Sequence, residues 1–226
     1  LGIGVIDPAT VTAAELQNMR DSGICGIRVN LYKYSAMHDI ELQKVALMEH
    51  AGVLKRHCRG WSMAFTHLHP EFWSRLSPVV EKIAAEGVPI VTDHFALLKA
   101  ASLLPEEYQQ DITSQPGFSD IVSLLKSGSL YVKISAPYRV SDHGPYYEDV
   151  RPLVTALVGA NPERVLWGSD WPHTPRMKVR SREEALKETP FVKVDNRIWL
   201  RQLKSWLTEE QWDLMMVKNP RRLYGQ

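Results

Sequence analysis

The sequence predicts an α/β protein, a TIM-like (β/α)₈ barrel in incomplete form, and three observations lead there. Short β-branched runs alternate with longer segments of helical period, the pattern of βα units around a parallel sheet. No glycine-rich phosphate turn joins any strand to its helix, which argues against a dinucleotide-binding open sheet. Ionisable residues collect at the C-terminal ends of the strands, the catalytic rim of a barrel. A length of 226 residues lies near the lower end for such a domain.

Taken in order, strands are expected over residues 3–7, 26–31, 62–67, 90–94, 130–135 and 165–169. Amphipathic helices are expected over 13–21, 41–54, 70–86, 117–126 and 147–158, several closed by Gly23, Gly87, Gly128 or Gly159. A polar stretch at 175–189 follows, then an aromatic helix over 198–207. A short helix over 209–218 runs into Asn219-Pro220. No repeat, linker or low-complexity tract interrupts the chain, so one domain over 1–226 is expected.

Lys plus Arg number 27 against 26 Asp plus Glu, a net charge of +1, which provides no field for nucleic acid or acidic membranes. A small-molecule substrate is the expected partner. Cys25 and Cys58 form neither a disulfide framework nor a metal-type spacing, so a reducing, cytoplasmic location is expected. No run of about eighteen apolar residues and no secretory signal occurs, so no membrane association is expected. The chain opens on Leu1 and passes straight into the apolar run 1–6, as a strand begins in mid-domain.

The sharpest chemical signal is Arg164-Val-Leu-Trp-Gly-Ser-Asp170-Trp-Pro-His173, where an apolar strand ends in a carboxylate backed by a proline. Asp170 there can serve as a general base or metal ligand, or simply cap the next turn. In Val88-Pro-Ile-Val-Thr-Asp93-His94, strand alternation puts Asp93 and His94 on opposite faces, and His94 is expected to face inward. Arg28, in Gly26-Ile-Arg-Val-Asn30, and Arg139, in Leu130-Tyr-Val-Lys-Ile-Ser-Ala-Pro-Tyr-Arg139, suggest a substrate with a carboxylate or several oxygens. An outer salt bridge fits Lys133 better than Arg139. His67 and His69 form a His-x-His that could be half of a zinc site, although Pro70 ends the strand beside them. His38, His50, His57 and His143 are expected to face solvent, and Trp61, Trp167 and Trp171 to line a pocket. No Gly-x-Ser-x-Gly elbow exists for a serine hydrolase.

With Trp167-Gly-Ser-Asp-Trp-Pro-His173 and the terminal Asn219-Pro-Arg-Arg-Leu-Tyr-Gly225, the chain resembles the amidohydrolase-related proteins (amidohydrolase family 2). Within them it is most similar to the branch of 2-pyrone-4,6-dicarboxylate hydrolase and sugar-acid lactonases. Gly23-Ile-Cys-Gly-Ile-Arg28-Val-Asn30, Val91-Thr-Asp-His94 and Val132-Lys-Ile-Ser-Ala-Pro-Tyr-Arg139 fall in the family's order.

The resemblance implies hydrolysis of a lactone or related ester, with Asp170 as the base that activates water and His94 beside the reacting carbonyl. It implies Arg28 and Arg139 as contacts to substrate carboxylate or hydroxyls, and Tyr138 and His173 are expected beside the substrate in the same motifs. It also implies two strands ahead of residues 1–7, the first bearing a His-x-His. The chain is therefore expected to lack the first two barrel strands and to be catalytically weak or inactive by itself. The cofactor expected is none or a divalent metal, zinc being possible, with Asp170 and His94 as its ligands in this chain. Two alternatives remain: a metal-dependent decarboxylase of the same superfamily, and a non-catalytic truncated remnant.

Overall fold

The computed structural model describes residues 1–175, 181, 183 and 186–225. Six strands, β1 (Gly2–Gly4), β2 (Ile24–Arg28), β3 (Ser62–Phe65), β4 (Ile90–Thr92), β5 (Leu130–Ser135) and β6 (Val165–Gly168), form one wholly parallel sheet in sequential order. That order excludes the doubly wound alternative, which reverses direction at a switch point. Right-handed crossovers that always step the same way put the crossover helices on one face and leave the other face to curl inward. The fold is thus α/β and TIM-like, with the strands slightly shorter than expected.

The connecting helices are α1 (Ala13–Asp21), α2 (Ile40–His57), α3 (Trp73–Ala85), α4 (Glu106–Gln109), α5 (Phe118–Lys126) and α6 (Arg151–Ala160). After β6 come α7 (Asn196–Ser205), α8 (Glu209–Asp213), a π-helical turn over Leu214–Lys218 and α9 (Asn219–Tyr224). Side-chain caps explain several starts: Thr12 and Glu15 form a capping box on α1, Asp39 accepts from the Glu41 and Leu42 amides, and Thr208 with Gln211 repeats the box on α8. The helix expected over 70–86 is split into a 3₁₀ turn, Pro70–Phe72, and α3. The segment between β4 and α5, for which no element was expected, carries α4 and short 3₁₀ turns. The polar stretch 175–189 lies in large part outside the described residues.

Period-two alternation sorts the strand residues into two cores. Ile27, Met63, Phe65, Ile90, Val132, Ile134 and Val165 face the helices within one large cluster that runs from Ile6 to Met215. Ala64, Val91, Tyr131 and Leu166 face the other way and meet Leu223 of α9, with Tyr224 packed alongside. Each fully buried Leu, Ile or Phe in these clusters contributes on the order of 1.5–3 kcal/mol. Asn219, wholly buried, anchors α9 by donating from Nδ2 to the carbonyls of Pro162 and Val165, 2.8 Å each. The terminal Asn-Pro motif thereby ties the chain end to the root of β6.

One solvent-side expectation is corrected. His50 is buried on α2, with Nδ1 2.6 Å from the Ala46 carbonyl and Nε2 near Tyr34 Oη, because it lies on the apolar stripe of that helix. Of the tryptophans expected to line a pocket, Trp61 is buried beneath the Arg20 guanidinium and borders a cleft with Cys58 and Val88, and Trp171 is 80% exposed.

Gly117, at the start of α5, is required by its backbone. Its φ of +79° lies in the left-handed region, and an added Cβ would run into the Pro70 carbonyl and stand 3.1 Å from Trp73 Cδ1. Gly117→Ala is expected to destabilise the protein by about 2 kcal/mol or more, lowering the thermal midpoint by roughly 4–8 °C. Calorimetry of the two proteins checks this.

Candidate active site

The strand ends β4, β5 and β6 bring the predicted residues together. Beyond β6 the chain turns at Asp170 (φ +61°) and His173 (φ +65°), a conformation that aims the Asp170 carboxylate back over the sheet. Tyr138 and Arg139 follow β5 in a 3₁₀ turn entered through Ala136 (φ +48°). Tyr138 Oη donates to Asp170 Oδ2 at 2.6 Å and Arg139 Nε donates to the same oxygen at 3.0 Å. Oδ2 is thereby held by two donors, while Oδ1 faces His94 Nε2 at 3.8 Å. Burial first, and the bond to Asp170 second, push the Tyr138 phenol well above its ordinary range, so it remains a donor.

His94 reaches this point by a route alternation did not anticipate. β4 ends at Thr92, and His94, Phe95, Ala96 and Leu97 all have φ between +55° and +59°. Four successive left-handed residues are costly for L-amino acids, and the strain is concentrated at the chemically loaded strand end. The turn cancels the expected division, because Asp93 and His94 both serve the concave side. His94 Nδ1 is 2.9 Å from Ser135 Oγ, and burial holds the imidazole below its usual pKa. Asp93 pairs with Lys133 at 2.9 Å and accepts from Thr66 Oγ1 at 3.3 Å. Burial alone would raise the Asp93 carboxyl, but Lys133, His94 and Arg28 together lower it. Lys133 therefore belongs to an inner ion pair and not to an outer one. Sequence reasoning passes over Ser135 and puts Lys133 in an outer salt bridge, although the period of β5 puts both on the face of Tyr131.

The remaining residues divide. Arg28 is in register with Ala64 of β3, exposed on the concave side, and without an ion-pair or hydrogen-bond partner among the described residues. The Arg139 guanidinium, by contrast, also donates from Nη2 to the Thr174 carbonyl and hydroxyl, 2.9 Å each. His173 is buried, with its ring edge-on to Tyr138 and its Nε2 3.3 Å from Asn196 Nδ2. The His67-x-His69 pair does not converge on the site. His67 faces the helix-side core among Phe65, Phe72 and Trp73, and His69 bonds His38 and Glu71 outside it.

A metal would find two ligands here, His94 Nε2 and Asp170 Oδ1, and among the described residues no group of three or more His, Cys, Asp or Glu is placed to hold an ion. With Asp170 Oδ2 already committed to a guanidinium, these residues do not by themselves fit a metal centre. No described helix is long and apolar enough to cross a membrane.

Comparison with known proteins bears on the family and the fold. The chain is 28% identical over 220 residues to 4-sulfomuconolactone hydrolase of Hydrogenophaga intermedia, a match covering 96% of the chain and 62% of the relative. It is 28% identical over 227 residues to 2-pyrone-4,6-dicarboxylate hydrolase of Comamonas testosteroni, covering 95% and 64%. The chain thus spans just under two thirds of the length of these curated relatives. A solved apo structure from Agrobacterium tumefaciens superposes with a TM-score of 0.69 at 21% identity, covering 99% of this chain and 69% of that one, and shows the same fold. The amidohydrolase family model matches residues 2–226, and the chain belongs to the amidohydrolase family.

Proposed function

We propose that the protein hydrolyses a lactone, or a related ester, of a small acidic substrate. The observation that carries this reading is the pairing of Asp170 Oδ1 with His94 Nε2 at 3.8 Å, while Asp170 Oδ2 is held by Tyr138 and Arg139. One oxygen atom about 2.8 Å from each of the two facing atoms fits between them off their line. Asp170 takes a proton from a water there, and the hydroxide adds to the lactone carbonyl carbon. The developing oxyanion is met by His94. When the ring C–O bond breaks, the proton held by Asp170 passes to the leaving oxygen.

Arg28 supplies a guanidinium for the acidic group of the substrate, in keeping with the sulfo and dicarboxylate substrates in the relatives' names. Arg139, Tyr138 and His173, first expected at the substrate, brace the Asp170 turn in this reading. The proposal includes a single barrel domain over 1–226 whose six strands are the last six of eight, consistent with the greater length of the relatives.

The test is a panel of 4-sulfomuconolactone, 2-pyrone-4,6-dicarboxylate, sugar-acid lactones and neutral lactones. It is run on the chain as it stands and on a form extended to the length of its relatives, each with zinc and with a chelator. Ring opening of anionic lactones in preference to neutral ones is the expected result. If neither form opens any lactone, the proposal fails.

A further inference from the structure

Ser135 closes β5, is 2% exposed, and touches His94 twice. Its Oγ accepts the His94 backbone N–H at 3.2 Å and lies 2.9 Å from Nδ1 of the same residue. A hydroxyl has one proton, and among the described residues the only acceptor within reach of this one is Nδ1. Were the imidazole proton on Nδ1, the serine oxygen would face two donors and its own proton would be buried without an acceptor, a cost of about 1–3 kcal/mol. The opposite arrangement satisfies all three groups. The backbone N–H gives to Oγ, O–H gives to Nδ1, and the proton of the neutral ring lies on Nε2, toward Asp170 Oδ1.

We infer that Ser135 is the positioning residue that fixes His94 as its Nε2–H tautomer, so that His94 acts at the reacting centre as a hydrogen-bond donor. The role at the reacting centre rests on the lactonase reading above; the tautomer does not. Burial of the imidazole favours the neutral form on which the assignment depends. The charged groups around the ring act in both directions: Asp93 from the end of β4 and Asp170 after β6 favour the charged ring, Lys133 of β5 and Arg139 beyond it the neutral one. A neutral ring with Nε2 protonated donates to an oxyanion without first gaining a proton. The same tautomer has no lone pair at Nε2 for a metal.

The tautomer is read directly by long-range ¹H–¹⁵N correlation of His94 in ¹⁵N-histidine-labelled protein, using the chain as it stands. Expected are a protonated Nε2 and a bare Nδ1 in the wild type, a mixture in Ser135→Ala, and a return to the single tautomer in Ser135→Thr, which keeps the hydroxyl. A protonated Nδ1 in the wild type overturns the inference even if Ser135→Ala does not fold, and so does an unchanged Nε2–H pattern in a folded Ser135→Ala. In whichever form turns over lactone, Ser135→Ala is expected to lower kcat about 10- to 100-fold with KM changed less than 3-fold, and Thr to restore most of it. If the NMR pattern shifts as expected while kcat does not, the tautomer assignment stands and the donor role of His94 in the lactonase reading falls.

Discussion

Asp170→Asn is expected to lower kcat for lactone hydrolysis by about 10³-fold, within the 10²–10⁴ range of a positioned general base, with KM nearly unchanged. The substitution is nearly isosteric, and the donors around it dictate how the amide sits. Tyr138 Oη and Arg139 Nε both need an acceptor, so the Asn carbonyl takes the place of Oδ2 and the amide nitrogen is turned toward His94. In the proposed mechanism a base is thereby exchanged for a donor at the carboxylate position that faces the reacting oxygen. Because the two bonds to the turn survive, the thermal midpoint is expected to move by only a few degrees. Steady-state kinetics and a melting curve on the same preparation check the prediction in the form that turns over lactone. A variant retaining a tenth or more of wild-type kcat removes Asp170 from the role of base.

Much of this arrangement is legible in the sequence, and the parts that are not have physical reasons. All six strands, the exact span of β5 and the start and stop of α1 follow from apolar period and capping residues. Asp170 and Arg139 stand out because each follows an apolar run. The partnership of Tyr138 and Arg139 with one carboxylate oxygen is not legible, since it depends on left-handed residues at Ala136 and Asp170 that carry no glycine to announce them. The same is true of His94, where four left-handed residues override the alternation that separates it from Asp93. A lysine's charge suggests an outer salt bridge for Lys133, whereas the period of β5 puts it beside Ser135 on the concave face. In the same way the polarity of His50 suggests solvent, although its helical position is apolar. Strand order, which decides between barrel-like and doubly wound sheets, is a tertiary property that no local pattern encodes.

His67 makes the largest expected pH effect on stability. It is 2% exposed, its Nδ1 accepts from the His69 backbone N–H at 3.3 Å, and its Nε2 is buried with no partner among the described residues. The ring is therefore neutral with Nε2 protonated. Burial first, and the neighbouring His69 second, push its pKa down to about 3 from an ordinary value of 6.5. The sign follows from which state takes up the proton. Above about pH 6.5 neither state protonates this ring, and its burial carries no proton-linked cost. Below that value the unfolded chain gains a proton that the folded one refuses, so stability falls with pH until the folded pKa is reached. Two pH units below the unfolded pKa the loss is about 2–3 kcal/mol, or roughly 5–10 °C in a domain of this size. His50 and His94, both lowered by burial, add to the wild-type slope, so the contribution of His67 is read as a difference. His67→Phe extends the stack of Phe65, Phe72 and Trp73 and removes the unpaired N–H, and is expected to be at least as stable as the wild type near pH 7.5. Its stability should then fall between pH 6.5 and 4.5 with a slope shallower by about one proton. Urea titrations at four pH values measure both slopes; parallel lines would show that the folded protein protonates His67 as readily as the unfolded chain does.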